Sequence, residues 1–133
     1  MSVIYSLEMC VRDYELDMQG IVNNSVYQNY LEHARHQYLH EKGIDFANLT
    51  ERGIILVVKS ITMDFKVSLK SKDKFIVQVE TYKDGNLKLV FKQTIIRESD
   101  NKIALTANVI GVCLINNKLV KPESISEIDG LLN

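Results

Sequence analysis

Alternating hydrophobic and polar side chains predict strands on both sides of one helical segment. Residues 3–12 carry apolar side chains at every second position, as in a strand with one buried face. Four more alternating runs follow residue 53, divided by the turn sequences SKD, DGN and ESDNK. We predict these strands at 54–69, 74–82, 87–97 and 103–115. The alternating apolar residues of the first run are Val3, Tyr5, Leu7, Met9 and Val11.

The pattern changes to a helical period after the first strand. Residues 25–42 repeat apolar side chains at three- and four-residue intervals, which places them on one helical face. Ser25 with Gln28 resembles a capping box, and Gly43 suits the position just past the helix end. The preceding YELDMQGIVNN is typical of a loop that ends at a helix start. The apolar residues of this stripe are Tyr27, Tyr30, Leu31, Ala34, Tyr38 and Leu39.

This order of elements predicts an α+β fold. One strand, one long helix and four strands follow each other without the repeated strand and helix spacing of a parallel sheet. A short helical or irregular piece is expected near 45–51, and Pro122 suits the start of a short C-terminal helix. The sheet must curl around the helix to bury it, and we predict a single domain over residues 1–133.

Composition narrows the classes of function. The formal net charge of −1 gives no overall field for nucleic acid or an anionic membrane. The two cysteines, Cys10 and Cys113, lie in predicted strands, where we expect inert, unpaired thiols. No apolar run approaches the roughly 18 residues of a membrane span, and the N-terminal sequence lacks a basic segment followed by a long apolar one. We expect a cytoplasmic protein.

The loop and helix carry a specific motif. DMQGIVNNSVY at 17–27 resembles the signature of hot-dog thioesterases of the 4-hydroxybenzoyl-CoA thioesterase and YbgC type. The likeness continues through YLEHARHQYL at 30–39 and VVKSITMDF at 57–65. The resemblance implies a five-stranded antiparallel sheet wrapped around one long helix, with active sites at the interface of a homodimer or homotetramer. It also implies an acyl-CoA or acyl-carrier-protein substrate and no cofactor.

The resemblance assigns roles to individual residues. Asp17 matches the catalytic carboxylate, which acts as nucleophile or general base, and Asn24 matches the position whose backbone N–H polarises the thioester carbonyl. A thioester carbonyl is weakly resonance-stabilised and its thiolate departs readily, so one carboxylate beside a helix N-terminus is sufficient chemistry. The resemblance implies an acyl contact at Glu32, and we also expect substrate contacts from Gly20, Ile21, Val22, Tyr27 and Ser60. Tyr27 is expected to pack in the core as well, one turn past Asn24.

The chain departs from those relatives at the histidine. Many YbgC-type members have histidine where this chain has Asn24, and other relatives have it where this chain has Ile21. A further departure is Ser68, where proline is common. The alternative to hydrolysis is therefore a non-catalytic acyl-thioester binding protein of the same fold, while a dehydratase of this fold generally needs the absent histidine.

Other residues keep two interpretations open. Glu32 either contacts substrate or serves as a structural partner of Arg35 or an interface residue, and Ser60 either lines a channel or acts as a small spacer. His36 and His40 have a spacing that can chelate a metal, but without the HExxH order we predict no metal site. The lysines at 66, 70, 72 and 74 either meet coenzyme A phosphates or are simply solvated, and we expect no nucleic-acid binding.

Overall fold

Five long antiparallel strands form the sheet, as the alternation predicts. The structure is a computed structural model that describes residues 4–132, so Val3 lies outside the described residues. The strands are β1 Tyr5–Cys10, β2 Ile54–Phe65, β3 Lys74–Asp84, β4 Lys88–Arg97, β5 Lys102–Ile115 and β6 Lys118–Val120. Neighbouring strands follow the order β1-β3-β4-β5-β2. The short sixth strand, β6, pairs with the end of β5, and its three residues are too few for a period to be seen in the sequence.

Helix α1, Asn24–Glu41, packs on the inner face of this curled sheet. Asn23 caps it, since its side chain accepts the Ser25 N–H at 3.0 Å, so the cap lies two residues before the predicted Ser25. At the other end Gly43 adopts a φ of +83°, as predicted for the residue past the helix. The N–H groups of Gly43 and Ile44 bond back to the carbonyls of His40 and Leu39, which is a Schellman motif.

Two shorter helices complete the α+β arrangement. Helix α2, Phe46–Glu51, is capped by Asp45 and follows α1 directly. Helix α3, Ser126–Asp129, follows a 3-10 turn that begins at Pro122, which confirms the predicted C-terminal helix. The buried side chains of Leu49, Ile125 and Ile128 join the main core, so both short helices help to close it.

The core lies between α1 and the inner face of the sheet. Along most of β3, β4 and β5 the residues with odd numbers face the core, and the fully buried ones include Phe75, Val77, Ile95 and Val109. Strand β2 changes phase at a bulge, because Val58 pairs with Gly111 while Ser60 pairs with Ile110. Among residues 4–132 no helix is both long and apolar enough to cross a membrane.

The strand β2 ends at Phe65, four residues before the predicted end at 69. The N–H groups of Lys66 and Val67 still donate to the Ala104 carbonyl of β5, and the chain then runs beside the loop that precedes α1. Leu69 accepts the Val22 N–H at 2.9 Å, and Lys70 forms an antiparallel bridge with Ile21. These residues therefore hold the loop in place instead of extending the sheet.

Candidate active site

The loop before α1 folds tightly around Asp17. The Asp17 N–H donates to the Ile21 carbonyl at 2.8 Å, and the Gly20 N–H donates to the Asp17 carbonyl at 3.1 Å. Gly20 has a φ of +80°, a left-handed conformation that glycine adopts without a steric penalty. The Asp17 carboxylate accepts the Gln19 N–H at 2.8 Å and a longer bond from the Ile21 N–H at 3.4 Å, both through Oδ1. The second oxygen, Oδ2, has no hydrogen-bond partner among residues 4–132.

Hydrogen bonds within the loop and between the loop and α1 hold it in place. Leu16 bridges to Val22 within the loop, and the Asn23 N–H donates to the Glu15 carbonyl at 3.1 Å. The Glu15 carboxylate accepts the Tyr30 hydroxyl at 2.7 Å, which connects the loop to the first turns of α1. Burial is the main cause that raises the pKa of Tyr30, and this bond to Glu15 raises it further. The hydroxyl therefore remains protonated and continues to donate.

The start of α1 offers a free backbone donor beside the loop. Asn24 is the first helical residue, and its N–H precedes the point at which bonding within a helix begins. The next amide, Ser25 N–H, is taken by the Asn23 side chain, and the Val26 N–H by the Asn23 carbonyl. The Asn24 N–H thus has no acceptor within residues 4–132, and it lies at the positive end of the helix dipole.

A cavity of about 260 Å³ opens between α1 and the sheet, further along the helix. Phe65, at the end of β2, lies against Tyr27 at a ring distance of 5.5 Å, whereas Leu56 and Val58 line the cavity together with Leu39. Strand β2 therefore runs beside α1 in the opposite direction. The helix side of the cavity is formed by Glu32, Arg35, His36 and Leu39, and the remainder by Phe46, Leu56, Val57, Val58, Leu89, Phe91, Gly111 and Val112.

An exposed stripe of the helix connects its start to this cavity. Asn24, Gln28 and Glu32 are exposed and follow each other at four-residue intervals, so they share one face. Glu32 lies at the cavity, and it is about 12 Å along the axis from Asn24 at 1.5 Å per residue. An extended ligand whose one end lies beside Asp17 and Asn24 can follow this helix face into the cavity.

Arg35 is the one strongly buried charge that lines the cavity among the described residues. It is 6% exposed, and its Nη1 donates to the Oε1 of Gln93 at 3.0 Å. Gln93 is fully buried and its Nε2 donates to the Leu31 carbonyl at 3.0 Å. Burial lowers the pKa of Arg35, and the neighbouring Glu32 carboxylate opposes that effect.

The structure brings some of the predicted site residues together and separates others. Gly20, Ile21 and Val22 belong to the loop with Asp17, and Glu32 lies at the cavity rather than in an ion pair with Arg35. Tyr27 is 3% exposed and its hydroxyl accepts the Leu69 N–H at 3.0 Å, so within one chain it is a core residue. Ser60 pairs with Ile110 on the outer face of the sheet, away from α1.

Apart from Glu32, the residues that line the cavity were not predicted as site residues from the sequence. Arg35 carried a signal, since it stands four residues after Leu31 and four before Leu39 on the apolar face of the helix. Gln93 and Gly111 carried none, because their positions depend on strand register.

The histidines and cysteines do not assemble a second reactive centre. Within the described part of the chain, no three His, Cys, Asp or Glu side chains are arranged to hold a metal ion. His36 Nε2 lies 4.0 Å from a Glu32 oxygen, and its ring lies against Phe46 at 5.7 Å. Burial raises the pKa of the Cys113 thiol to about 11, which keeps it protonated and unreactive near neutral pH.

Comparison with known proteins assigns the chain to a family. The sequence model of the thioesterase-like superfamily matches residues 11–128, which include the Asp17 loop, α1 and the four long strands β2 to β5. The chain belongs to the thioesterase-like superfamily. This result confirms the predicted family and the hot-dog fold.

Two proteins that are named thioesterases align over most of the chain. A chloroplastic acyl-acyl carrier protein thioesterase, ATL3, from Arabidopsis thaliana is 37% identical over 87% of this chain and 61% of its own length. The acyl-CoA thioesterase YbgC from Haemophilus influenzae is 26% identical over 89% of this chain and 85% of its own. The chain thus spans about three fifths of the plant relative's length.

A solved structure has the same fold. The crystal structure of a hypothetical protein from Aquifex aeolicus superposes with a TM-score of 0.86 and 26% identity. The alignment covers 97% of this chain and 99% of that one, so the two proteins share the whole arrangement of strands and helices.

Proposed function

We propose that the chain hydrolyses an acyl thioester to a free acid and a thiol, with Asp17 as its catalytic residue. The observation that carries this proposal is the state of the Asp17 carboxylate. One oxygen is anchored by the N–H groups of Gln19 and Ile21, the other has no partner within residues 4–132, and the free Asn24 N–H begins the adjoining helix. The YbgC and ATL3 relatives, which are named thioesterases, support the same activity.

The proposed chemistry has two forms. As a general base, Asp17 takes a proton from water, the hydroxide adds to the carbonyl carbon, and the C–S bond breaks as the thiolate takes up a proton. As a nucleophile, Asp17 forms an acyl anhydride and expels the thiolate, and water then hydrolyses the anhydride. In both forms the Asn24 N–H stabilises the negative charge on the carbonyl oxygen. Label on Asp17 after a single turnover in H₂¹⁸O would identify the nucleophilic form, because only attack of water on the Asp17 carbon of the anhydride puts ¹⁸O there. Attack on the acyl carbon labels the released acid in both forms.

Asp17→Asn tests the role of the carboxylate. The amide oxygen can keep the two backbone bonds of the loop, whereas the negative charge is lost. We expect thiol release from acyl-CoA substrates to fall by about 10²–10⁴-fold, the usual range for a lost acid-base group. Asp13→Asn is the matched control, because Asp13 is an exposed carboxylate of the same segment and should leave the rate unchanged.

The second candidate is a protein that binds acyl thioesters without hydrolysing them. This chain has Asn24 and Ile21 where the thioesterase signatures that its loop resembles carry a histidine, and this departure favours the alternative. It predicts that the native chain and Asp17→Asn release thiol equally slowly from every acyl-CoA and acyl-carrier-protein substrate. Binding measured by calorimetry would then persist in both proteins.

We propose that the carrier group lies beside the segment at 66–74. Lys70 bridges to Ile21, so this basic segment borders the loop, and Lys72 adopts a turn conformation with a φ of +64°. Ammonium groups there are placed to meet the phosphates of coenzyme A or of a carrier-protein arm. Lys70→Gln combined with Lys72→Gln should raise the KM for acyl-CoA at an unchanged kcat, with Lys118→Gln on the distant β6 as control.

We also propose that the chain works as a homo-oligomer through the edge of β2. This strand is the last in the sheet order, and Ile55, Val57, Val58 and Phe65 on it are each at least 39% exposed. A long apolar edge strand is a liability in a monomer and is suited to pairing with a second copy. Light scattering should give at least twice the 15.2 kDa chain mass. Val57→Lys should lower that mass.

A further inference from the structure

Arg35 is a buried cation without a carboxylate partner. Its side chain is 6% exposed, and no carboxylate oxygen of the described residues lies within 4.0 Å of it. A guanidinium offers five N–H donors, and the protein acceptor for them is the single Oε1 of Gln93. No buried side-chain nitrogen of the described residues lacks a partner, so the other guanidinium N–H groups face the cavity, where water or a ligand accepts from them. A ligand that displaces this water must supply an acceptor, because a buried charge with so few partners is costly.

Gln93 orients the guanidinium. The Gln93 side chain is itself fixed, because its Nε2 donates to the Leu31 carbonyl of α1 at 3.0 Å. Its Oε1 is thereby directed at Arg35, which it contacts at 3.0 Å. The two residues lie on α1 and β4, which form opposite walls of the core. The packing of α1 on β4 therefore fixes the position of Arg35.

The surroundings of Arg35 are mostly apolar and open. The cavity that it lines has side chains of Leu39, Phe46, Leu56, Leu89 and Phe91 around it. Gly111 leaves further space on the sheet side, because it has no side chain at an inward-facing position. A hydrocarbon chain fits these walls, but it leaves the donors of Arg35 without an acceptor.

We propose that this cavity binds the acyl group and that Arg35 donates a hydrogen bond to an oxygen that the acyl chain carries far from its thioester. The preferred substrates are then acyl groups with a distal hydroxyl, carbonyl or carboxylate rather than plain hydrocarbon chains. This inference rests on the proposed function and adds the class of acyl group to it.

The helix sets the distance between the two ends of the substrate. Arg35 lies eleven residues after Asn24, or about 16 Å along the axis, and helical side chains lean back toward the N-terminus. The guanidinium is therefore roughly 10 Å from the start of α1. An extended chain advances about 1.2 Å per bond, so an oxygen at about the eighth carbon reaches Arg35.

Binding to Asp17→Asn tests the inference without turnover. Octanoyl-CoA, 8-hydroxyoctanoyl-CoA and the monothioester of octanedioic acid with CoA are compared by calorimetry. We expect at least one oxygenated ligand to bind about tenfold or more tightly than octanoyl-CoA, as is usual for a hydrogen bond to a charged group. The hydroxyl and carboxylate ligands show whether a neutral or an anionic oxygen is preferred.

Variants of the Arg35 and Gln93 pair identify the source of any preference. In the Asp17→Asn background, Arg35→Met should remove the preference, and Arg35→Lys should retain part of it. If Arg35→Met does not fold, Gln93→Glu replaces it, since an adjacent carboxylate occupies the guanidinium and should reduce the preference at least tenfold. Equal binding of all three ligands, or a preference that survives these changes, overturns the inference.

The two proposals fail in different ways. Hydrolysis of octanoyl-CoA at the same rate and affinity as of the oxygenated substrates leaves the thioesterase function intact and refutes the role of Arg35. Selective binding of an oxygenated ligand without any thiol release supports the role of Arg35 and refutes the hydrolysis.

Discussion

The loop before α1 and the middle of α1 each hold one charged side chain in a fixed position, and they do so in opposite ways. Asp17 is half-buried, and its carboxylate is held by backbone N–H groups two and four residues away. Arg35 is buried, and it is held by Gln93, which lies 58 residues further along the chain. The proposed reactive group thus depends on local turn geometry, whereas the proposed selectivity depends on long-range packing.

Among changes that keep both Asp17 and Arg35, replacing the loop glycine should give the largest effect, because it acts directly on the loop that holds Asp17. Gly20→Val places a β-branched residue at a φ of +80°, although nothing lies within 4 Å of the added Cβ. The loop must shift to relieve the strain, and the Asp17 carboxylate shifts with it. We expect kcat to fall by roughly 10²-fold, the cost of a misplacement of about 1 Å.

Gly85→Val is the matched control for this change. Gly85 has a φ of +70° in the hairpin between β3 and β4, and it too has nothing within 4 Å of the added Cβ. Both variants should lose similar stability, measured by urea unfolding, but Gly85→Val should keep its kcat. Equal kcat losses in the two variants would mean that the loop has no special part in the reaction.

Filling the cavity beside Arg35 should affect the proposed selectivity for the acyl chain. Gly111→Leu keeps a backbone conformation open to any residue, and its Cβ would lie 3.4 Å from the Val57 carbonyl oxygen, an ordinary contact. The leucine side chain then occupies space that the proposed acyl chain uses. We expect kcat/KM for octanoyl-CoA to fall by roughly tenfold or more, with butanoyl-CoA much less affected.

Butanoyl-CoA serves as the internal control for Gly111→Leu, because a four-carbon chain of about 5 Å ends before the cavity. A parallel loss for both substrates would indicate general damage to the fold. An unchanged ratio of the two rates would place the acyl chain elsewhere.

The local half of the site is the part that the sequence predicted. Asp17, Gly20 and Asn24 lie in a continuous stretch, and each finds its hydrogen-bonding environment within a few residues. Alternation and helical period likewise predicted α1 and the five long strands, because these patterns follow from which face is buried. Such features need no knowledge of distant residues.

The remainder could not be predicted because it depends on register. The bulge between Val58 and Ser60 reverses which residues of β2 face the helix, and this places Ser60 on the outer face. The meeting of Arg35 with Gln93 similarly requires the packing of α1 on β4. The predicted end of β2 at residue 69 was wrong for the same reason, since Leu69 bonds to Val22 and Tyr27 instead of to a neighbouring strand.

Tyr27→Phe tests whether long-range contacts also stabilise the loop. The Tyr27 hydroxyl accepts the N–H of Leu69, which is fully buried, and the Leu69 carbonyl holds Val22. Removing the hydroxyl leaves a buried N–H without an acceptor, which typically costs about 1–3 kcal/mol. Urea unfolding should report this loss in free energy of unfolding.

Tyr14→Phe is the control for this change, because the Tyr14 side chain lies in the same segment and is 78% exposed. It should alter the free energy of unfolding by about 0.5 kcal/mol or less. If Tyr27→Phe were as mild as Tyr14→Phe, the Leu69 N–H would have an acceptor in solution, and the link between loop and sheet would be weaker than the structure indicates.

The smallest effect is expected from a long-range contact that is exposed. Arg52, at the end of α2, donates to Glu127 of α3 at 2.6 Å, across 75 residues of sequence. This hydrogen bond lowers the pKa of Glu127 to about 2, from an ordinary value of 4.5. A carboxyl with a lowered folded-state pKa stabilises the fold above its unfolded pKa and loses that contribution as the pH falls toward the folded value.

Glu127→Gln should therefore shift the urea midpoint slightly at pH 7, by less than Tyr27→Phe does, and the difference from the native chain should shrink between about pH 4.5 and pH 2. A difference that grows as the pH falls would contradict the assigned ion pair. A shift at pH 7 as large as that of Tyr27→Phe would mean that burial does not determine how much such a long-range contact contributes to the free energy of unfolding. Burial is the physical reason for expecting otherwise, because water screens the Arg52 and Glu127 charges but does not reach the Leu69 N–H.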